Sequence, residues 1–450
     1  MPEVERVGAT RALANVVRGM RYEDIADDAR EVARHCLLDF LGCALAGSRE
    51  PLTEILVRET VPHEPSAESG LIGRTGRAAR LTAALVNGAA GHALDFDDTH
   101  TMMAGHPSAP VLPALLALAE TERSNGAALL TALVAGIELE CRLGLLLGAG
   151  HYLAGFHATG TIGTFGAAAA CAHLLQLDAD QWLHALGLAG TQAAGLKSGF
   201  GTMAKPLHAG RAASAGLLAA LLARGGFTGQ PAILEAAQGF AATHAGGEPD
   251  VRMLDTYTGR WLIRDTLFKY HAACYLTHAA IEAALQLRQR HALNADGIRK
   301  VEVHVAPTLL GVCNIQEPST GLEGKFSLRV TTALALLGED TSDLATYTDA
   351  NMHDAQLSAL RARVVVSTGD LAPTQSRVVV DTGATTVEAQ VDTGVPSTDL
   401  AAQRERLQRK FLGLATPVLG AHRANRLADA ALHAEDIDGV SDLLSLTLPP

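Results

Sequence analysis

The feature that most constrains the fold is a long helical pattern that is interrupted once by strands. From about residue 8 to residue 240, apolar residues recur at helical spacing in one segment after another. Near residue 265 the pattern changes to short alternating and β-branched runs, and it returns to helix after residue 399. A chain of 450 residues is too long for one ordinary core. The sequence therefore predicts a mainly α fold, with an all-helical domain formed by residues 1–264 and 402–450 and an inserted α+β domain at 265–401.

Capping signals and small residues place the segment boundaries. The helix predicted over 209–224 stops at Gly225-Gly226, and Pro107 precedes the helix predicted over 108–120. The other helices of the first domain are predicted over 28–45, 78–95, 127–146, 161–175 and 179–188. Strands of the second domain are predicted over 298–305, 361–367, 377–381 and 386–391. Helices are predicted between them over 275–288 and 327–336, and after them over 401–412 and 421–432.

Composition excludes several classes of protein. The net charge is -12 and no run of Lys or Arg occurs, so nucleic acid is not an expected partner. The six cysteines form no CxxC pair, which gives no support to a zinc ribbon or a redox pair. The first residues lack the apolar segment of a signal peptide, and no apolar run is clean enough to span a membrane. A cytoplasmic protein with no membrane partner is expected.

Three polar clusters interrupt the apolar helices of the first domain. The first runs from His92 to His100 and continues over Gly105–Ser108, the second spans Phe156–Gly160, and the third spans Met203–Arg211. Each precedes a stretch typical of a buried helix, and the free N–H groups and dipole of a helix N-terminus attract anions. Burial and close neighbours move the pKa values of carboxylates and imidazoles toward neutrality, which suits proton transfer.

Together the clusters favour an acid/base site for a small anion. Lys205 to His208 is predicted as a loop before a helix, where Lys205, His208 and Arg211 would attract carboxylates. An aspartate of the first cluster would supply a base or orient a histidine. The plainer interpretations are a helix cap for His106, a solvated helix end for Asp97–Thr99 and an ordinary loop lysine for Lys205. Common metal-ligand spacings and glycine-rich nucleotide motifs are absent from the sequence, so neither a metal nor an organic cofactor is expected.

The clusters belong to a set of motifs that resembles the MmgE/PrpD family over nearly the full length. The matching segments are Leu38–Gly42, Asn87–Thr99, Gly105–Ser108, Phe156-His157, Lys205–Ala213 and Lys269–Cys274. Members of this family include dehydratases, decarboxylases and epimerases of small carboxylates. The resemblance implies that the α+β domain is a lid, that the site lies in the cleft between the domains, and that the protein is a homodimer. It also implies that no metal or organic cofactor is used.

The clusters and the resemblance together predict the site residues. The expected catalytic residues are Asp95, His106, His157, Lys205 and Lys269. The expected substrate-binding residues are Thr99, His208, Arg211 and Cys274. The sequence differs from decarboxylase members at Cys274, where they have a histidine, and at Val312-Cys313, where they have a tyrosine.

The main hypothesis for function is a cofactor-independent lyase that dehydrates or decarboxylates a small di- or tricarboxylate. Lys205 and Lys269 would bind carboxylates, His106 or His157 would act as base and acid, and Asp95 would orient one histidine. The alternative is an epimerase or isomerase of a small dicarboxylate such as iminodisuccinate, which would need bases on both sides of the substrate. A third hypothesis is a non-catalytic, carboxylate-binding paralogue.

Overall fold

A computed structural model describes residues 8–61 and 67–450 of the chain. Helices make up 59% of the chain and the sheets are small, which confirms the mainly α fold. The residues divide into two compact units. A helical unit extends to Phe268 and resumes at Thr398, and an α+β unit spans Lys269–Ser397. Within the described residues, no helix combines the length and apolar character that crossing a membrane requires.

The helical unit begins with a long series of helices. These are α1 (Ala9–Val17), α2 (Asp27–Gly47), α3 (Pro51–Thr60), α4 (Arg80–His92), α5 (Ser108–Thr121), α6 (Gly126–Leu147), α7 (Ala149–Leu153), α8 (Ala158–Leu174), α9 (Ala179–Gly190), α10 (Ala204–Arg224), α11 (Phe240–His244) and α12 (Arg252–Thr256). A short antiparallel ladder of β1 (Ser69–Gly70) and β2 (Arg77–Ala78) precedes α4.

The α+β unit is built on a four-stranded sheet with the strand order β4-β3-β5-β6. Its strands are β3 (Lys300–Val305), β4 (Val364–Thr368), β5 (Gln375–Asp381) and β6 (Thr386–Asp392). Strand β3 pairs in parallel with β4 and antiparallel with β5, and β5 pairs antiparallel with β6. Alternate residues of β3 are fully buried, which is the period of a strand with one covered face. Its helices are α13 (His278–His291), α14 (Gly321–Gly324), α15 (Leu328–Leu337), α16 (Asp349–Met352) and α17 (Ala355–Arg361).

The chain then completes the helical unit with α18 (Leu400–Leu419), α19 (Ala421–Leu432) and α20 (Val440–Ser445). Helix α18 packs along α2, so the two ends of the chain share one core. Residues 265–268 also belong to this unit, because Leu267 pairs its backbone with Thr99.

Small residues let the central helices approach closely. Helix α10 packs against α4 and α8, and α8 packs against α6. A Cβ added to Gly210 of α10 would lie 2.2 Å from the carbonyl oxygen of Leu85 in α4, so only glycine permits this contact. The contact sets the spacing of the two helices whose ends carry His92 and Lys205.

Two of the predicted boundaries that differ from the structure affect the polar clusters. The helix predicted over 78–95 ends at His92, and Asp95 adopts a left-handed backbone with φ 50°. Lys205 and His208, predicted in a loop, lie inside α10, which begins at Ala204. Pro206 does not prevent this, because N–H groups in the first helical turn have no intrahelical acceptor to lose.

Glu140 of α6 is an acidic side chain inside the helical core. It is fully buried, and neither carboxyl oxygen has a hydrogen-bond partner among the described residues. Burial raises the pKa of Glu140 well above its ordinary value, with the negative charge of Asp98 adding to the effect. Burial therefore favours the protonated form of this carboxyl group in the folded protein.

This burial predicts a pH dependence of stability that Glu140→Gln removes. Above the ordinary glutamate pKa the unfolded chain loses the proton and the folded chain keeps it, so stability falls as pH rises. One such proton contributes a slope of roughly 1.4 kcal/mol per pH unit. The stability of the variant relative to the wild type should therefore rise between about pH 5.5 and pH 7.5. Urea unfolding at several pH values measures this. Glu405→Gln, at an exposed position of α18, is the control, and a pH-independent difference for Glu140→Gln would contradict the assignment.

Candidate active site

The first polar cluster is organised around Asp97. This carboxylate is fully buried, and its oxygens lie 2.9 Å from His92 Nδ1 and 3.2 Å from His106 Nδ1. Burial alone would raise the pKa of Asp97, but the imidazoles of His92 and His106 lower it well below its ordinary value. Burial also lowers the pKa of His92 to about 4, against the pull of Asp97. At neutral pH an ionised carboxylate therefore faces a neutral His92.

Asp95 and Lys205 form the more accessible side of the cluster. Lys205 Nζ donates to Asp95 Oδ1 at 2.8 Å, and His106 Nε2 lies 3.6 Å from the same oxygen. The side chains of Asp95 and Lys205 retain 34% and 17% of their exposure, so this face is open to a small molecule. The strained backbone of Asp95 fits a functional position, because surrounding contacts must hold such a conformation in place.

His157 brings the second polar cluster to the same place. It is the N-terminal cap residue of α8, and its backbone N–H donates to Gly195 O at 3.0 Å. Its Nδ1 lies 3.0 Å from Nδ1 of His208 in α10, so one of the two nitrogens carries a proton and the other accepts it. Burial lowers the pKa of His157 far below its ordinary value, which makes the ring neutral. The ring of Phe200 packs edge-on against it, with 4.9 Å between centroids.

Backbone contacts hold His106 in this arrangement. The backbone N–H of His106 donates to the hydroxyl of Thr159 in the first turn of α8 at 3.0 Å. The hydroxyl of Thr99 donates to Gly105 O at 3.1 Å, and the backbone of Thr99 pairs with Leu267. Thr99 therefore supports the loop that carries His106, in addition to any contact it makes with substrate.

A second layer of buried charge lies beneath the first cluster. Lys410 of α18 donates to Asp39 Oδ1 at 2.5 Å and to Phe96 O at 2.6 Å. Ser108 donates its hydroxyl to Asp98 at 2.5 Å. Burial, together with the charge of Asp39, raises the pKa of Asp98 to about 8. The loop between α4 and α5 is thus anchored from below by the C-terminal segment.

The structure does not bring all predicted residues together in this unit. Arg211 is exposed on α10 and makes no hydrogen bond or ion pair with a described residue. Lys269 is buried and Cys274 is half-buried in the α+β unit. There the thiol of Cys274 raises the pKa of the Cys313 thiol, together with burial.

The predicted site residues did not include His92 or Lys410, and the carboxylate that lies nearest to two imidazoles is Asp97, whereas the prediction gave the orienting role to Asp95. The position of His92 could have identified it, because it lies on the other side of a helix end from Asp97. The pairing of Asp39 with Lys410, 371 positions apart, left no signal in the pattern.

The first polar cluster also has the geometry of a possible metal site. Ligand atoms of His92, Asp95, Asp97 and His106 all lie within 4.8 Å of one another, which is close enough to hold an ion. Lys205 already donates to Asp95 at 2.8 Å and would compete with a cation for that oxygen. The chain itself therefore supplies a positive charge at this point, and the expectation of a metal-independent site stays a prediction.

Fold and site together define the class of protein: the chain belongs to the MmgE/PrpD family. Residues 11–252 match the MmgE/PrpD N-terminal domain, and residues 271–436 match the MmgE/PrpD C-terminal domain. This confirms the resemblance seen in the motifs.

Curated relatives are named as two kinds of lyase. The chain is 27% identical to a cis-aconitate decarboxylase of Aspergillus terreus, over 98% of this chain and 96% of the relative. It is 29% identical to the cis-aconitate decarboxylase of Homo sapiens, over 98% and 95%. It is 28% identical to the 2-methylcitrate dehydratase of Salmonella typhimurium, over 77% and 75%. These names support a lyase and give no support to the isomerase alternative.

Proposed function

We propose that this protein is a cofactor-independent acid/base lyase that decarboxylates or dehydrates a small di- or tricarboxylate. The observation that carries the proposal is the open face of the site, where His106 Nε2 and Lys205 Nζ both approach Asp95 Oδ1. A proton acceptor thus lies next to a cation that can bind a carboxylate. Both reactions need this combination, because each moves a proton next to a carboxylate and stabilises the charge that develops.

Each residue of the cluster has a definite role in this proposal. Lys205 holds a substrate carboxylate, and Asp95 orients Lys205. His106 transfers the proton through Nε2, and His157, which burial keeps neutral, serves as the second proton-transfer group. Lys269 is proposed as a further carboxylate-binding group on its family motif alone.

The comparisons favour cis-aconitate as the first substrate to test. The decarboxylase relatives match over nearly their whole length, whereas the dehydratase match covers three quarters of the relative. 2-Methylcitrate and citrate are the corresponding hydroxylated substrates. We also propose that the enzyme is a homodimer and that it is cytoplasmic. Analytical ultracentrifugation measures the oligomeric state.

Proton NMR in D₂O with each carboxylate tests the proposal. Decarboxylation of cis-aconitate should replace its vinyl signal with new vinyl signals, and dehydration of a hydroxy acid should create a vinyl signal where none existed. Deuterium uptake at an α-carbon with no new compound would replace the lyase assignment with an isomerase. Thermal stabilisation by these ligands without turnover would identify a carboxylate-binding paralogue.

A further inference from the structure

We infer that Asp97 is a positioning residue that fixes the tautomer of His106 and so makes Nε2 its proton-transfer nitrogen. The inference deepens the proposed function and rests on it. Asp97 lies beneath the face that a substrate can reach: it is fully buried, whereas the side chains of His106 and Asp95 retain exposure. Asp97 therefore acts through His106 and does not touch the substrate.

The argument begins with the atoms that face each other. His92 Nδ1 lies 2.9 Å from Asp97 Oδ1, and His106 Nδ1 lies 3.2 Å from Asp97 Oδ2. An ionised carboxylate only accepts hydrogen bonds, so His92 must donate from Nδ1, and the facing carboxylate favours a proton on His106 Nδ1 as well. With its proton on Nδ1, the His106 ring presents its lone pair at Nε2. That nitrogen is the one on the side of Asp95 and Lys205, 3.6 Å from Asp95 Oδ1.

The contact between His106 and Asp97 is the looser of the two. His106 Nδ1 is buried and has no other polar partner among the described residues, and its alignment with Asp97 is imperfect. Catalytic hydrogen bonds are often long without substrate and tighten in the complex. Asp97 is thus the acceptor available to this nitrogen.

His92 explains how Asp97 keeps its place. It is buried at the end of α4, and its Nδ1 lies within 3.0 Å of both Asp97 oxygens. Its ring packs edge-on against the ring of His106 with 4.5 Å between centroids. The carboxylate is therefore held by His92 through both oxygens, and its Oδ2 also faces His106.

Asp97→Asn is the variant that separates positioning from packing. An amide of the same shape has one accepting and one donating group, so it can satisfy only one Nδ1–H and drives the other imidazole to the opposite tautomer. Turnover should fall by about 10²–10⁴-fold, with KM and Tm little changed. A purely structural role would instead lower Tm and leave the tautomer of His106 unchanged.

Asp98→Asn is the matched control. Asp98 is equally buried and adjacent in sequence, but it accepts from Ser108 and faces no imidazole of the site. Its turnover should fall far less than that of Asp97→Asn. Equal losses in the two variants would overturn the positioning role.

The decisive readout needs no substrate. Histidine-selective ¹⁵N NMR, with the His106 signals assigned from His106→Gln, should show the proton on Nδ1 in the wild type and a changed pattern in Asp97→Asn. A wild-type His106 protonated on Nε2 alone would overturn the inference. Because this measurement is made on the free protein, it can fail while the proposed lyase activity stands, or succeed while that activity fails.

Discussion

Replacing His106 with glutamine is expected to lower turnover by about 10²–10⁴-fold, the usual contribution of a positioned proton-transfer group. Glutamine keeps much of the volume and polarity of the imidazole but cannot exchange a proton at neutral pH. The backbone N–H of residue 106 would still donate to Thr159, so the loop should stay in place. The fold should therefore survive while the reaction is lost, and steady-state kinetics with the substrate identified by NMR measures the loss.

His173→Gln is the control for this experiment. His173 lies on α8, where its Nε2 donates to Met20 O at 2.9 Å, and it makes no contact with the site cluster. Its turnover should stay near that of the wild type. Full activity in His106→Gln would rule out His106 as the proton-transfer group and leave His157 as the candidate.

Replacing Lys410 with methionine should produce the largest loss of stability, about 3–5 kcal/mol. Lys410 and Asp39 are both almost completely buried, and the ammonium also binds the carbonyl oxygen of Phe96. The variant leaves a buried carboxylate and a buried carbonyl without their donor. Urea unfolding measures the change in the free energy of unfolding.

The pH dependence of this loss provides an internal check. Burial raises the pKa of Asp39 despite the opposing charge of Lys410, and removing that charge raises the pKa further. The folded variant then holds a proton that the folded wild type releases, so the loss of stability should grow as pH rises above the raised pKa of Asp39 in the folded wild type. The double variant Asp39→Asn/Lys410→Met should recover much of the loss, because no uncompensated charge remains. No recovery would show that packing, not charge, dominates.

Much of the fold could be predicted because its signals are local. Helical apolar spacing and a following glycine pair placed the end of α10 at Arg224, and alternation placed β3 within two residues. The start of α10 was predicted too late in the chain, because Pro206 suggests a loop. Proline is also tolerated in the first turn of a helix, where Pro206 lies. The site was predicted as a group of residue types, and the structure brings His106, His157 and Lys205 together.

The roles within the site could not be predicted to the same degree. The position at which α4 ends and the left-handed turn at Asp95 decide which carboxylate faces an imidazole. Neither feature is set by a periodic pattern in the sequence. The carboxylate two residues further on, Asp97, takes the buried position. The pairing of Asp39 with Lys410 depends on tertiary packing of α2 and α18, which no local pattern contains.

The anchoring of the active-site loop by Lys410 has a consequence for the order of events during synthesis. On the ribosome the N-terminal helices emerge first and can begin to fold. The cation that neutralises Asp39 and binds Phe96 O is translated only after the whole α+β unit has been made. Until α18 arrives, the nascent helical unit contains a carboxylate that it cannot bury without cost. Catalytic competence is therefore expected to appear late, only after almost the entire polypeptide has left the ribosome.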